Sequence, residues 1–85
     1  MYKISIQRDA EKALSKIPKT DQKRIIKRID LLAENPLPPD VKNLQGDLGG
    51  YHRIRSGNYR IIYEIFQNEL MVLILKIGHR QNIYT

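Results

Sequence analysis

The sequence of 85 residues contains no cysteine and no tryptophan, and it contains only two histidines. Without cysteine the chain cannot form a disulfide, use a thiolate nucleophile or hold an iron–sulfur cluster, and such a composition fits a reducing cytoplasm. The two histidines, His52 and His79, are too few for a histidine-rich metal site. We therefore expect a cytoplasmic protein that needs neither a metal ion nor another cofactor.

Long hydrophobic segments are also missing. No apolar run approaches the roughly 20 residues that a membrane-spanning helix requires. The N-terminus begins with alternating polar and apolar residues, where a signal peptide would have a basic end and an apolar core. We expect no membrane association. We also expect a single domain over residues 1–85, because so short a chain cannot support two hydrophobic cores.

Acidic residues are scarce relative to basic ones. The chain has 15 Lys and Arg against 9 Asp and Glu, which gives a net charge of +6. Such an excess suits a polyanionic partner, with nucleic acid as the first candidate and an acidic protein as the second. Many soluble domains carry a similar excess on a solvated surface. The positions of the charges along the chain must therefore distinguish a binding site from an ordinary surface.

The first half of the chain has the pattern of a strand followed by two helices. Residues 2–6 alternate between apolar and polar, which predicts a half-buried strand. Apolar stripes over residues 10–17 and 25–33 predict two short helices joined at Pro18, with Asp9 and Thr20 as their N-caps. The basic residues of the second helix are expected to form a solvated face with no catalytic role: Lys23, Arg24, Lys27 and Arg28.

The second half is rich in strand patterns. Residues 35–50 contain several prolines and glycines and predict a long irregular connection within the domain. Three strands follow, at 51–55, 59–66 and 70–77, separated by turns at Gly57-Asn58 and Gln67-Asn68. The last is apolar on both sides and belongs inside a sheet. We predict an α+β fold with an N-terminal strand, an antiparallel helical hairpin and a three-stranded antiparallel meander.

Positive charge is concentrated on the first hairpin of this meander. If Gly57 and Asn58 form a two-residue turn, Arg55 lies directly across from Arg60, and Arg53 shares their face. Like charges placed opposite each other destabilise a sheet by about 0.2–1 kcal/mol, unless an anion lies among them.

The alternative interpretation of this hairpin is a solvated edge that resists aggregation, but such edges usually use lysine balanced by acidic neighbours. Here every charge from 48 to 63 is arginine, whose planar group suits bidentate phosphate contacts. The pattern therefore favours a phosphate-binding face.

A second group of candidate residues follows the last strand. Gly78 is expected to end that strand and to turn His79 and Arg80 away from it, with Tyr84 close behind. A single histidine or tyrosine near a chain end more often lies on the surface or packs. Together with the arginines, however, they would combine the positive charge and the aromatic ring that an RNA site requires.

Two segments of the sequence resemble the RelE/ParE superfamily of toxins from type II toxin–antitoxin systems, and its RelE-like branch in particular. They are YHRIRSGNYRIIYE at 51–64 and VLILKIGHR at 72–80, followed by a terminal tyrosine, and the resemblance extends over nearly the whole chain. It implies the RelE-like microbial ribonuclease fold, whose curved sheet has helices on one side and a basic concave site on the other. It also implies a metal-independent endoribonuclease that cuts mRNA in the ribosomal A site and inhibits translation.

The resemblance implies a role for each matching residue in an attack of the 2′-hydroxyl on the adjacent phosphate. Arg53 and Arg55 would bind phosphate and assist the nucleophile, and Arg60 would anchor the scissile phosphate in the transition state. Arg80 would serve the leaving 5′-oxygen, and Tyr84 would stack on or orient the substrate.

The arginines at 53 and 55 leave the general base of this reaction unassigned. Guanidinium groups are too basic to accept a proton at neutral pH. Imidazole titrates near neutral pH, so we hypothesise that His79, beside Arg80, shares proton transfer. Glu64 is a weaker candidate.

The resemblance also implies partners and a rival function. The partners would be a RelB-like antitoxin whose acidic or amphipathic segment folds over the basic site, the ribosome and its mRNA, and operator DNA only through the antitoxin complex. The rival is the ParE-like branch, which shares the fold but inhibits DNA gyrase without cutting nucleic acid. The joint presence of Arg60, Arg80 and Tyr84 favours the nuclease, while spacing alone leaves open an RNA-binding protein that never cuts.

Overall fold

The computed structural model describes residues 1–44 and 50–79. Its strands form one mixed sheet in the order β1-β5-β4-β3-β2, in which β1 is parallel to β5 and the other neighbours are antiparallel. In chain order the elements are β1 (Lys3–Ile6), α1 (Arg8–Ser15), α2 (Lys19–Glu34), β2 (Lys42–Asn43), β3 (His52–Ser56), β4 (Tyr59–Phe66), a 3-10 turn (Gln67–Glu69) and β5 (Met71–His79). The predicted α+β class, with a strand, a helical hairpin and a meander, is confirmed.

Both helices pack on one face of the sheet because each has a single apolar stripe. On α2, Ile25, Ile29 and Leu32 recur at helical spacing and are at most 2% exposed, and on α1 Ala10 and Leu14 are buried. Inward-facing residues of the strands complete the core: Ile54, Ile61, Tyr63, Val72, Ile74 and Ile77. Within the described residues, no helix is long and apolar enough to cross a membrane. The opposite face of the sheet carries no helix from residues 1–44 and 50–79, and we call it the face without helices.

Both predicted helix caps are wrong by two residues. The N-cap of α1 is Gln7 and that of α2 is Pro18, and neither forms a side-chain capping hydrogen bond. Asp9 instead lies in the first turn of α1, where its negative charge still favours the positive end of the helix dipole. Thr20 lies in the first turn of α2, because Pro18 has the extended backbone that precedes a helix.

The connection between the helices is held by one side chain of α2. The Gln22 amide donates hydrogen bonds to the carbonyl oxygens of Leu14 at 2.8 Å and Ile17 at 3.3 Å. The Leu14 carbonyl oxygen also accepts a hydrogen bond from the Ile17 backbone N–H at 3.1 Å, so the Gln22 amide reinforces the turn that ends α1. The tight helical hairpin predicted around Pro18 is thereby fixed.

A β-bulge interrupts the apolar run of β5. Ile62 pairs with Lys76 and Tyr63 pairs with Ile74, so Leu75 is an extra residue in the ladder. The residues that face the core therefore change parity at the bulge, from Val72 and Ile74 before it to Ile77 after it. The strand lies between β1 and β4, as its apolar character predicts.

The two-residue strand β2 was not predicted. It lies within the connection at 35–50, where it pairs Lys42 with Arg53 and Asn43 with His52. Two polar residues give no alternating apolar pattern, so the sequence carries no strand signal at this point. The rest of the connection includes residues 45–49, which lie outside the described residues.

Candidate nucleic-acid interface

The turn between β3 and β4 sets the geometry of the site. Gly57 has a φ of +61°, at the first central position of a two-residue turn, as in a type II′ hairpin. The ladder on either side pairs Ser56 with Tyr59 and Arg55 with Arg60. The predicted pairing of the two arginines is therefore confirmed.

The three arginines of the hairpin lie on the face without helices. Ile54 and Ile61 form a cross-strand pair that belongs to the core. Because side chains alternate along a strand, Arg53, Arg55 and Arg60 project from the opposite face. Arg55 is exposed, and Arg53 and Arg60 are half-buried. The structure thus brings together the three arginines that the sequence grouped.

Two lysines that the sequence analysis overlooked share this face. Lys42 pairs with Arg53, Arg53 pairs with Ile62, and Ile62 pairs with Lys76. Residues paired directly across a ladder project from the same face, so this row runs over four strands. We define the cationic face as the set of these five residues: Lys42, Arg53, Arg55, Arg60 and Lys76.

A buried isoleucine lies in the middle of the cationic face. Ile62 is 1% exposed, although its side chain lies on the face opposite the helices and is not part of the hydrophobic core cluster. Glu64, two residues further along β4, is half-buried and has the same orientation. Among the described strand residues on this face, Glu64 is the single acidic residue, against the five cations of the cationic face.

The arrangement places like charges opposite each other twice. Lys42 faces Arg53, and Arg55 faces Arg60. Each such pair costs about 0.2–1 kcal/mol in the absence of a counter-ion. An anion bound between the members of a pair would offset their repulsion because it attracts both cations, so the cationic face is suited to a polyanion.

His79 lies apart from the cationic face. It pairs with Tyr59, and its ring meets the Tyr59 ring edge-on with centroids 5.9 Å apart. Tyr59 packs against the core, so both rings lie on the face that carries the helices, opposite Arg60. The grouping of His79 with the arginines is not supported by this placement. Arg80 and Tyr84 lie outside the described residues.

His52 also belongs to the helix-bearing face. Its ring centroid is 5.5 Å from that of Tyr63, and its Nδ1 is 2.7 Å from Asn43 Oδ1. Burial lowers the pKa of His52 from its ordinary value of 6.5. These contacts give His52 a packing role, although it is next to Arg53 in sequence.

Arg28 is not part of a solvated helix face, contrary to the prediction. Its Nε donates a hydrogen bond to the carbonyl oxygen of Arg55 at 3.0 Å, and its terminal nitrogen is 2.6 Å from Asp40 Oδ2. The guanidinium group therefore links α2 to β3 and to the connection before β2. No local pattern predicts this contact, because Arg28 and Arg55 are 27 residues apart.

Tyr63 provides a second link between the sheet and the connection. Its hydroxyl donates a hydrogen bond to the carbonyl oxygen of Pro36 at 2.6 Å, and its side chain is fully buried. Burial raises the pKa of Tyr63 to about 12. The charge of Arg28 lowers this pKa and the charge of Asp40 raises it, both by less than burial does. Together the two links hold the backbone next to β3 in place.

Comparison with known protein families identifies the family to which this chain belongs. The model for the ParE toxin of the type II toxin–antitoxin system parDE matches residues 4–84. The chain belongs to this toxin family. A toxin of the RelE/ParE superfamily, as the sequence motifs indicated, is therefore confirmed.

Individual relatives carry RelE names. Toxin RelE3 of Methanocaldococcus jannaschii is 38% identical over 71% of this chain and 74% of its own length. Among solved structures, the RelE–RelB complex of Pyrococcus horikoshii is 32% identical with a TM-score of 0.82, covering 95% of this chain and 97% of its counterpart. The RelBE2 toxin–antitoxin complex of Mycobacterium tuberculosis is 29% identical with a TM-score of 0.84, covering 93% and 98%. This toxin is RelE-like in fold and in sequence.

Proposed function

We propose that this toxin is a metal-independent endoribonuclease that cuts mRNA in the ribosomal A site. The observation that carries the proposal is the placement of Arg55 directly across from Arg60, with Arg53 on the same face. Three permanently charged guanidinium groups on one open sheet face suit a phosphate, because each can donate paired hydrogen bonds to its oxygens.

The chemistry that suits this face is an internal transfer at phosphorus. The 2′-hydroxyl oxygen forms a bond to the adjacent phosphorus and loses its proton, while the bond from phosphorus to the 5′-oxygen breaks and that oxygen gains a proton. Negative charge builds up on the non-bridging oxygens in the transition state. Guanidinium groups fixed on a sheet stabilise that charge without reorganising, and we assign this role to Arg53, Arg55 and Arg60.

Proton transfer requires a different kind of group. Glu64 has the same orientation as the arginines, whereas the His79 ring packs on Tyr59 on the other face. We therefore assign the proton acceptor to Glu64 in preference to His79. By family resemblance, Arg80 would serve the leaving 5′-oxygen and Tyr84 would stack on the substrate.

The proposed partners follow from the charge of the same face. The similar toxins of P. horikoshii and M. tuberculosis form complexes with antitoxins of the RelB type. We propose that a RelB-like antitoxin covers the cationic face with an acidic segment, and that the free toxin binds the ribosome and its mRNA in the cytoplasm. Operator DNA would be contacted only through the complex with the antitoxin.

Induced expression in a bacterial host tests the nuclease directly. Wild type should arrest growth and create new 5′ ends at translated codons, whereas Arg60→Ala should reduce those ends by about 100-fold, as expected for removing a group that binds the transition state. Lys27→Ala, on the exposed surface of α2, removes the same charge and should behave like wild type. In the same assay Glu64→Gln should reduce cleavage and His79→Gln should preserve it.

A second function is favoured by the identity of the matching family model, which describes ParE toxins. A ParE-like toxin would inhibit DNA gyrase by binding and would leave mRNA intact. Growth arrest without new 5′ ends, accompanied by gyrase-dependent DNA damage, would support gyrase inhibition and contradict the nuclease.

A further inference from the structure

The cationic face continues over the edge of the sheet at β2. Lys42 is exposed, lies directly across from Arg53 and makes no ion pair with any described residue. Cα atoms of directly opposed residues in an antiparallel ladder are about 4.5–5.5 Å apart, so the two charges repel each other at short range. A chain that needed only a short edge strand would gain stability from an acidic or neutral residue at position 42.

A pocket lies where β2 ends and the outer edge of β3 continues. It has a volume of about 340 Å³ and is lined by Asp40, Lys42, Arg53, Ile54 and Arg55. The lining contains three cations and no aromatic ring, so it suits a phosphate and its sugar better than a stacked base. This edge pocket is contiguous with the arginines, because Arg53 and Arg55 belong to both.

The carboxylate in the lining does not cancel this preference. Asp40 Oδ2 is 2.6 Å from the guanidinium group of Arg28, which also donates a hydrogen bond to the Arg55 carbonyl oxygen. The ion pair neutralises much of the negative charge of Asp40. The edge pocket therefore keeps a positive potential from Lys42, Arg53 and Arg55.

We propose that Lys42 and the edge pocket form a second phosphate site, which holds the RNA backbone next to the phosphate bound by Arg55 and Arg60. This inference rests on the proposed action on RNA and assigns Lys42 to binding, outside the reacting atoms. The RNA strand would leave the cationic face across β3 and pass over β2. RNA is favoured over an acidic peptide because the pocket continues the arginine face, so that successive phosphates of one strand could occupy both.

Binding of single-stranded RNA as a function of salt tests this site. The probe is a short RNA with every 2′-hydroxyl methylated, so that it cannot be cut, and affinity is measured by fluorescence anisotropy between about 50 and 200 mM salt. Lys42→Gln should weaken binding about three- to tenfold at the lower salt concentration and reduce the slope of log affinity against log salt by about 0.7. Lys42→Arg should restore both values, and Lys27→Gln should change neither.

Three results would overturn the proposal. They are an equal effect of Lys42→Gln and Lys27→Gln, the absence of RNA binding by wild type at the lowest salt, and a loss of affinity for a polyglutamate peptide with no change for RNA. The last would assign Lys42 to an acidic protein partner. Messenger RNA cleavage in cells is measured separately, so cuts at translated codons together with a neutral Lys42→Gln would refute the second site and leave the nuclease intact.

Discussion

Replacement of Arg55 by glutamine should stabilise the folded protein and weaken its affinity for phosphate at the same time. Arg55 is exposed and lies directly across from Arg60, so glutamine removes a repulsion without opening a cavity. The Arg28 hydrogen bond is made to the Arg55 backbone carbonyl and is kept in the variant. The side-chain charge is therefore the main property that changes.

The size of the effect follows from the pairing. Removing one like-charge cross-strand pair should raise the free energy of unfolding by about 0.2–1 kcal/mol. For a domain of this size, that corresponds to an increase of roughly 1–6 °C in Tm. The gain should shrink at 1 M salt, where the Debye length of about 3 Å is shorter than the separation of the two residues.

Phosphate should reverse the order of stability. A ligand at ten times its Kd stabilises the folded state by about 1.4 kcal/mol, and wild type should gain more from inorganic phosphate than Arg55→Gln does. Thermal unfolding is measured at low salt, in phosphate and in sodium chloride of equal ionic strength, with Lys27→Gln as the control for net charge. A lower stability of Arg55→Gln than of wild type at low salt, or equal stabilisation of both proteins by phosphate, would contradict this role of the Arg55 charge.

Two further predictions concern the structures that hold this face in place. Tyr63→Phe should cost about 1 kcal/mol at neutral pH, because it deletes the hydrogen bond to the Pro36 carbonyl oxygen. The Tyr63 hydroxyl keeps its proton up to about pH 12 in the folded state and only to about pH 10 in the unfolded state. The free energy of unfolding of wild type should therefore fall as pH rises between these values. Urea unfolding should show a larger loss for wild type than for Tyr63→Phe. Gly57→Ala should lower the free energy of unfolding by about 1–3 kcal/mol, since φ is +61° at this position. Asn58→Ala, where φ is not positive, should be nearly neutral in the same thermal scan; equal losses for the two would argue against strain at Gly57.

The sequence predicts those parts of the fold that depend on repeating patterns. The apolar stripes of α1 and α2 and the turn at Gly57 are local features, and each produces the expected element. The bulge at Leu75 could not be predicted, because an apolar run fits either face of a strand at every position. The strand β2 was missed for a related reason, since Lys42 and Asn43 become a strand only through their pairing with β3.

The candidate site divides in the same way. Arg55 and Arg60 are joined by a two-residue turn, so their contact follows from sequence arithmetic alone. Lys42 and Lys76 reach the same face through long-range pairing and a bulge, which no local pattern encodes. His79 differs from them, because its closeness in sequence to Arg80 suggested a shared site while the ladder places its ring against Tyr59.

The two faces of the sheet have different roles, one in stability and the other in binding. The helix-bearing face carries the core and the packed rings of His52, Tyr59 and His79, so substitutions there should act through stability. The cationic face carries two like-charge pairs, so a neutral substitution at an exposed member, Lys42 or Arg55, should stabilise the chain while it weakens binding to a polyanion. An anionic partner, whether RNA or an acidic antitoxin segment, should relieve the same repulsion. Competition between such partners for the cationic face is then a direct consequence of its charge.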